Sequence, residues 1–323
     1  MGVNLFMQIF DMKKFVCKLI LFAACMFFVD YAIGRTFDLL RESAIGGDTQ
    51  NDYVLSEKCK ADILVLGSSR ARHHYNPTIL DSIGGFSYNG GKDGIGIVSG
   101  LGRYMLCAER HRPKIVIYEI TPEFDYLIYG ESNSKYLNPL KPYFERNDIK
   151  SIFEKVETPF NLLKMHSSMY QNNSMLIANL TDLVVKRPNI RGFYPESGVL
   201  ENSNKKSEDV HIVIDSVKYS LLEQLIKETG KNKTKLYFAI SPRFFKNKTE
   251  KFSAVYMPGL ELAEKHKVPV LNYLFTPNIS DNPKMFVDFV HMNNLGADAY
   301  SRIVVDQIRK DIGLSWIDVN EIH

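Results

Sequence analysis

The chain has 323 residues, 45% of them hydrophobic and 24% charged, with 20 glycines and 13 prolines, proportions that exclude a disordered, collagen-like or multi-span membrane protein. Forty lysines and arginines against 37 aspartates and glutamates leave a formal charge of +3, too even for a chain that holds nucleic acid on a basic stripe. Four cysteines with no C-x-x-C pair fit neither a disulfide scaffold nor a zinc site.

At the N-terminus, Lys13, Lys14 and Lys18 lead into the apolar run Leu19–Val29, followed by Asp30. A basic start before an apolar stretch is the arrangement of a secretory signal or signal anchor. If Lys18 snorkels to the headgroups and Asp30 sits near the far interface, Phe15 to Ile33 supplies the roughly 19 residues that a span needs. The positive-inside rule then keeps the lysines cytoplasmic and sends everything after Arg35 outward, to a bacterial periplasm or cell surface. An uncleaved anchor over residues 1–34 is the expectation. The alternatives are a cleaved signal, for which no clean A-x-A stands near Asp30, and a helix buried in the fold. Phe22–Cys25 loosely resembles a lipoprotein box, but hydrophobic residues follow it. Met12–Lys13–Lys14 also has the look of a signal start. Only Cys59 and Cys107 then belong to the exported part, where they could pair or stand as two small buried thiols.

Residues 35–60 are polar and are expected to form a linker. From Ala61 the chain alternates short apolar runs with helical patterns. Ala61–Leu66 ends abruptly in Gly67-Ser68-Ser69, as a buried parallel strand bounded by a turn would. Phe86–Asn89, Lys114–Ile120, Lys235–Ile240 and Val268–Leu274 are the further strand candidates. Helical spacing appears over Ile97–Arg110, Ser216–Thr229, Lys251–His266 and Leu295–Ile312. This alternation predicts an α/β fold over residues 61–323, with a five-stranded parallel sheet covered on both faces. From about Tyr126 to Lys206 the rhythm breaks. That stretch is expected to be a mostly helical insertion, with patches at Ile149–Phe153 and Leu176–Val185, either shaping a site or forming a solvated cap.

On open parallel sheets, ligands collect at the C-terminal ends of the strands. Gly67-Ser68-Ser69-Arg70 holds that place after the first strand, but a serine needs a base to become a nucleophile. Among the eight histidines, His291 is the strongest candidate, because Asp288-Phe289-Val290-His291 lets a turn bring Asp288 to one ring nitrogen while the other faces the serine, the logic of a triad. His73 and His74 have no evident orienting carboxylate and are expected to pack or face solvent. His111, His166, His211, His266 and His323 have no metal-like spacing, so no metal is expected. For the oxyanion, the Ser69 amide and the glycine-rich turn Asn89–Gly94 are candidate donors.

A strand ending in Gly-Ser-Ser, a second ending in an Asn-x-x-x-x-Gly turn and a late Asp-x-x-His before the final helix together resemble the SGNH (GDSL-like) hydrolase superfamily, from about Ala61 to Ile312 apart from the insertion. The resemblance implies a three-layer α/β/α sandwich of flavodoxin-like type. It matches Ser69 to the nucleophile, Gly94 to the oxyanion glycine, Asp288 to the orienting acid and His291 to the base. Ser68 stands where the family has Asp, and Glu119–Asp125 stands where its Gly-x-Asn-Asp block would follow the third strand, leaving Thr121 as the substitute oxyanion donor. The anchor, the Gly-Ser-Ser block and the insertion make the chain more similar to the membrane-tethered branch, which moves or removes acyl groups on cell-envelope polymers. Arg70, Arg72 and Asn89 are the substrate-binding candidates. The two arginines could hold an anionic polymer or phosphate or simply begin a solvated helix.

The expected activity is that of an exported serine esterase or O-acyltransferase acting on acyl groups, acetyl first, of an envelope polysaccharide through acyl-Ser69. It requires no cofactor and no nucleic acid, and protein partners are left unassigned. The alternative is a catalytically silent module of the same fold that binds a polymer or partner. A dinucleotide-binding fold would need G-x-G-x-x-G after the first strand, which is absent.

Overall fold

Among the residues described by a computed structural model, 2–130, 132–173, 175–201, 212–245 and 254–313, five strands form one parallel sheet. From the N-terminus, α1 (Gly2–Glu42) and α2 (Gly47–Glu57) precede β1 (Ile63–Gly67), followed by α3 (Ser69–His74), α4 (Pro77–Leu80), β2 (Ser87–Asn89), α5 (Ile97–Arg110) and β3 (Ile115–Glu119). After α6 (Pro122–Asp125) come a 3₁₀ segment, Ser134–Tyr143, and helices α7 (Asn147–Val156), α8 (Pro159–Lys164), α9 (Ser168–Asn172) and α10 (Leu176–Val184). The chain returns through α11 (Ser216–Lys231), β4 (Lys235–Ile240), α12 (Met257–His266), β5 (Val270–Asn272) and α13 (Asn294–Ile312).

The strand order β2-β1-β3-β4-β5 puts the switch of direction between β1 and β3, the crevice where flavodoxin-like sheets hold their ligands. Successive residues of a strand face opposite sides of the sheet, and both sides are apolar here. Leu64, Leu66, Val116, Tyr118 and Phe238 pack with α5, α11 and α12 on one side. Ile63, Val65, Ile115, Ile117 and Tyr237 pack with α3, α4 and α13 on the other. This is the expected three-layer sandwich, and it explains why the strands are continuous apolar runs rather than alternating ones.

One expectation changes. Residues 35–60 are not an open linker. The helix α1 runs on to Glu42, with Asp38 paired to Arg35 and Arg41, and α2 buries Leu55 against α5. Polar composition concealed a helix whose buried face is itself largely polar. For the insertion both readings were open, and most of its helices lie away from the cleft: α7 packs on α5 and α11, and α9 and α10 pack on α1. Among its described residues, the stretch around Arg191 and Tyr194 crosses the C-terminal ends of β1 and β2, where the Asn89 amide donates to the Arg191 carbonyl at 2.9 Å and the Tyr194 amide to that of Arg72 at 3.2 Å.

Of the two readings open for Cys59 and Cys107, the structure has the disulfide, which ties the end of α2 to α5 across 48 residues. Loop-closure entropy for that separation is worth about 4 kcal/mol. Reduction is expected to lower the urea midpoint of the folded chain, and an unchanged midpoint would contradict this.

Candidate active site

The site begins at Gly67. Its φ of 137° lies in the region that glycine alone adopts freely, and a Cβ there would stand 2.7 Å from the Glu119 carbonyl oxygen of the neighbouring strand. β1 can therefore turn sharply and start α3 at Ser69, whose amide belongs to the first turn and has no partner within the helix.

Ser69 Oγ stands 2.8 Å from His291 Nε2, and His291 Nδ1 stands 2.8 Å from Asp288 Oδ2. The Nδ1–H donates to the carboxylate, leaving Nε2 to accept from the serine hydroxyl. Asp288 Oδ1 also accepts the amides of Val290 and His291, each at 2.7 Å, so the Asp-x-x-His turn is tied to itself. Burial raises the Asp288 carboxyl, but the hydrogen bonds from the His291 ring and from the two amides outweigh it and bring it to about 2. Because this lies below the ordinary 3.8, the contribution to stability is present above that value and is lost as pH falls through about 2. The gap in melting temperature between wild type and Asp288→Asn is expected to narrow as pH is lowered over that interval. A constant gap would contradict it.

An open cleft of about 470 Å³ is lined by these three residues together with His73, Asp93, Gly94, Phe124 and Glu196. Gly94, at φ 66°, lines the same cleft as Ser69, and nothing stands within 4 Å of where its Cβ would be. Thus Ser69, Asp288, His291 and Gly94 come together.

The remaining candidates do not join them. The Thr121 amide donates to Asp125 Oδ2 at 2.6 Å and so is not free for an oxyanion, and its hydroxyl shares a hydrogen bond of 2.7 Å with Ser68 Oγ. Asn89 is buried. Its amide nitrogen donates to the carbonyls of Ala71 and Tyr75, and its oxygen accepts from Gly91, bracing the loops rather than meeting substrate. Arg70 is not solvated and does not face the cleft: it is buried, with Nη2 2.9 Å from Glu119 Oε1 and Nη1 donating to the Tyr256 hydroxyl at 2.6 Å. Arg72 is paired with Asp48 and Asp93 at 2.9 and 3.2 Å, and its guanidinium lies 3.9 Å over the Tyr194 ring. Both arginines are occupied by the protein itself.

Two histidines prove more important than their sequence context suggested. Buried His74 accepts the Met292 amide on Nε2 at 3.0 Å, so its proton is on Nδ1, 2.7 Å from Ser241 Oγ. The Ser241 hydroxyl donates in turn to Glu119 Oε1 at 2.7 Å. Burial, then the nearby Arg70, holds His74 well below the usual histidine value, consistent with the neutral ring that these bonds require. The chain Glu119–Ser241–His74–Met292 thus fixes the backbone next to His291. His73 faces acceptors on both sides, the Tyr194 carbonyl at 2.7 Å and Asp93 at 3.2 Å. Burial lowers its pKa, but the bond to Asp93 and that to Tyr194 outweigh it and raise it. The available signal was Arg70–His74, five residues bearing polar groups at four positions directly after a buried strand. His211 and His323 lie outside the described residues. Among the described residues no group of three or more His, Cys, Asp or Glu could hold a metal ion.

No protein-family model matches the chain, and no curated protein matches it. Among solved structures it is similar to TesA, at 12% identity and TM-score 0.39, covering 77% of this chain and 98% of that one. It is also similar to a lipase/acylhydrolase from Enterococcus faecalis, at 13% identity and TM-score 0.39, covering 77% and 96%. Likenesses this distant carry no argument about chemistry, which rests on the geometry of the site.

Proposed function

We propose that the chain is an exported, membrane-anchored serine esterase or O-acyltransferase acting on acyl groups, acetyl first, of a cell-envelope polysaccharide. The observation that carries this reading is the unbroken hydrogen-bonded chain from Asp288 through His291 to Ser69 at the floor of an open cleft. Ser69 Oγ attacks the ester carbonyl while its proton passes to His291 Nε2. Asp288 stabilises the imidazolium that results. The oxyanion forms against the amides of Ser69 and Gly94. Collapse breaks the bond to the sugar oxygen, which leaves with the proton from His291, and acyl-Ser69 remains. Water or another sugar hydroxyl then attacks with His291 again as base, completing hydrolysis or transfer respectively.

Substrate and location draw on coarser features. The helix α1 is long and apolar enough to cross a membrane, and its apolar stretch is not buried against the rest of the chain. With Lys13, Lys14 and Lys18 left on the cytoplasmic side, the exported part is closer to neutral, which suits an uncharged glycan. The rival silent module is favoured by one observation, the engagement of Thr121, which leaves two backbone donors for the oxyanion.

Acetate release from p-nitrophenyl acetate and from acetylated oligosaccharides by the full chain in nanodiscs separates the readings. Turnover that is lost in Ser69→Ala supports the enzyme, and no turnover or transfer by the folded protein supports the silent module. His74→Phe, which keeps the volume but removes both ring bonds, is expected to lower kcat about 10- to 100-fold with KM nearly unchanged, because small misplacement of a base is costly. A changed KM with unchanged kcat would contradict a positioning role for His74.

A further inference from the structure

The helix α10 is built inside out. Its polar residues Asn179 and Asp182 are 1% and 2% exposed. Asp182 accepts the Thr49 amide on its carboxylate and the Ile45 amide on its carbonyl, each at 3.0 Å, and Asn179 accepts the Thr49 hydroxyl at 3.0 Å. The three-and-four spacing of Ile177, Leu180 and Val184 sets them on one face, and that face is outward, with Ile177 81% and Val184 77% exposed. A helix at a water surface does the reverse. The helix α8 adds exposed Phe160 and Leu163, with Lys164 lying 4.2 Å over the Phe160 ring.

The position of α9, which lies between them in sequence, says what covers α8 and the start of α10. Asp30, at the end of the apolar run of α1, accepts from the Ser167 hydroxyl at 2.7 Å and from the Ser168 and Met169 amides at 2.8 and 3.0 Å, so the start of α9 is tied to the point where α1 leaves its apolar stretch. One turn further, Gly34 lets α9 come so close that a Cβ there would stand 2.9 Å from Ser168 Cβ. Helices at the level of a span's end lie in the headgroup and acyl boundary, where apolar side chains are favourable and cations suit the lipid headgroups.

We propose that the outward face of α8 and of the first turn of α10 is a membrane foot, with Phe160, Leu163 and Ile177 seated in the surface of the bilayer that α1 crosses. The foot rests on the reading of α1 as a span and adds to it a fixed tilt, since two attachments leave the cleft one orientation over the membrane where a single helix would let it swing.

Nitroxide labels test this on the full chain in anionic phospholipid vesicles. Cys17 and Cys25 are replaced by alanine, the disulfide is kept, and single cysteines are placed at Phe22, Phe160, Ile177 and, as a water-facing reference on the opposite side of the sheet, Lys310. The expected result is that labels at 22, 160 and 177 collide more with oxygen than with a nickel chelate, whereas the label at 310 does the opposite. A label at 22 in lipid with those at 160 and 177 as open to nickel as that at 310 overturns the foot while leaving the anchor standing. A label at 22 open to nickel overturns both. Labels at 160 and 177 shielded from both reagents indicate a protein cover and also overturn the foot.

Discussion

Replacement of Ser69 by alanine is expected to lower kcat/KM for an ester by at least about 10⁴-fold, the loss that follows when a member of a serine triad is removed. The argument rests on two distances. Ser69 Oγ and His291 Nε2 at 2.8 Å allow direct proton transfer, and His291 Nδ1 at 2.8 Å from Asp288 fixes the tautomer that makes Nε2 the base. The adjacent Ser68 hydroxyl cannot substitute, because it is buried and bound to Thr121. His291→Ala should fall by a comparable factor, and the double variant should fall little further, because the two act as a unit. Losses that multiply would contradict a shared proton path.

The second large effect is on stability. Glu119→Ala is expected to cost about 3–5 kcal/mol, because removing one partner leaves the buried Arg70 guanidinium uncompensated. Glu119 also accepts from the Ser241 amide and hydroxyl, and from the Tyr75 hydroxyl, so its loss leaves further buried donors without partners. For a domain of this size the melting temperature should fall by about 10 °C. Arg70→Met combined with Glu119→Leu should recover part of the loss, since an apolar pair in place of a buried ion pair is often neutral. If Glu119→Ala melts within a degree or so of wild type, the pair carries no such weight. Because Glu119 holds Ser241, and through it His74 and the Met292 amide, the variant that remains folded should also turn over more slowly.

The parts of the molecule legible in the sequence are those whose cause is local. A strand buried on both faces must be an unbroken apolar run, so Ala61–Leu66 and Lys235–Ile240 announced themselves, and α5 was expected at the bounds found, Ile97–Arg110. Asp288 and His291 were legible because three residues and one turn suffice to join them. Where partners lie far apart in sequence, the reading failed. Arg70 looked like the start of a solvated helix because the groups that bury it, Glu119, Ser241 and Tyr256, come from the ends of β3 and β4 and from beside α12. His74 lacked a carboxylate in its neighbourhood because its tie to Glu119 runs through Ser241. Thr121 was nominated by its place after β3, and only the structure reveals that Asp125, four residues on, has taken its amide. The outward apolar face of α10 was not legible for a different reason: its polar residues point inward, which inverts the usual inference from composition to surface.

The most direct measurement is covalent. The bilayer-embedded full chain is treated with a fluorophosphonate, digested, and mapped by mass spectrometry alongside Ser69→Ala and His291→Ala. The proposed mechanism predicts one phosphonyl adduct, on Ser69, absent from the first variant and formed far more slowly in the second. An unlabelled Ser69 in protein that retains its fold, or an adduct on another residue that persists in Ser69→Ala, would contradict it.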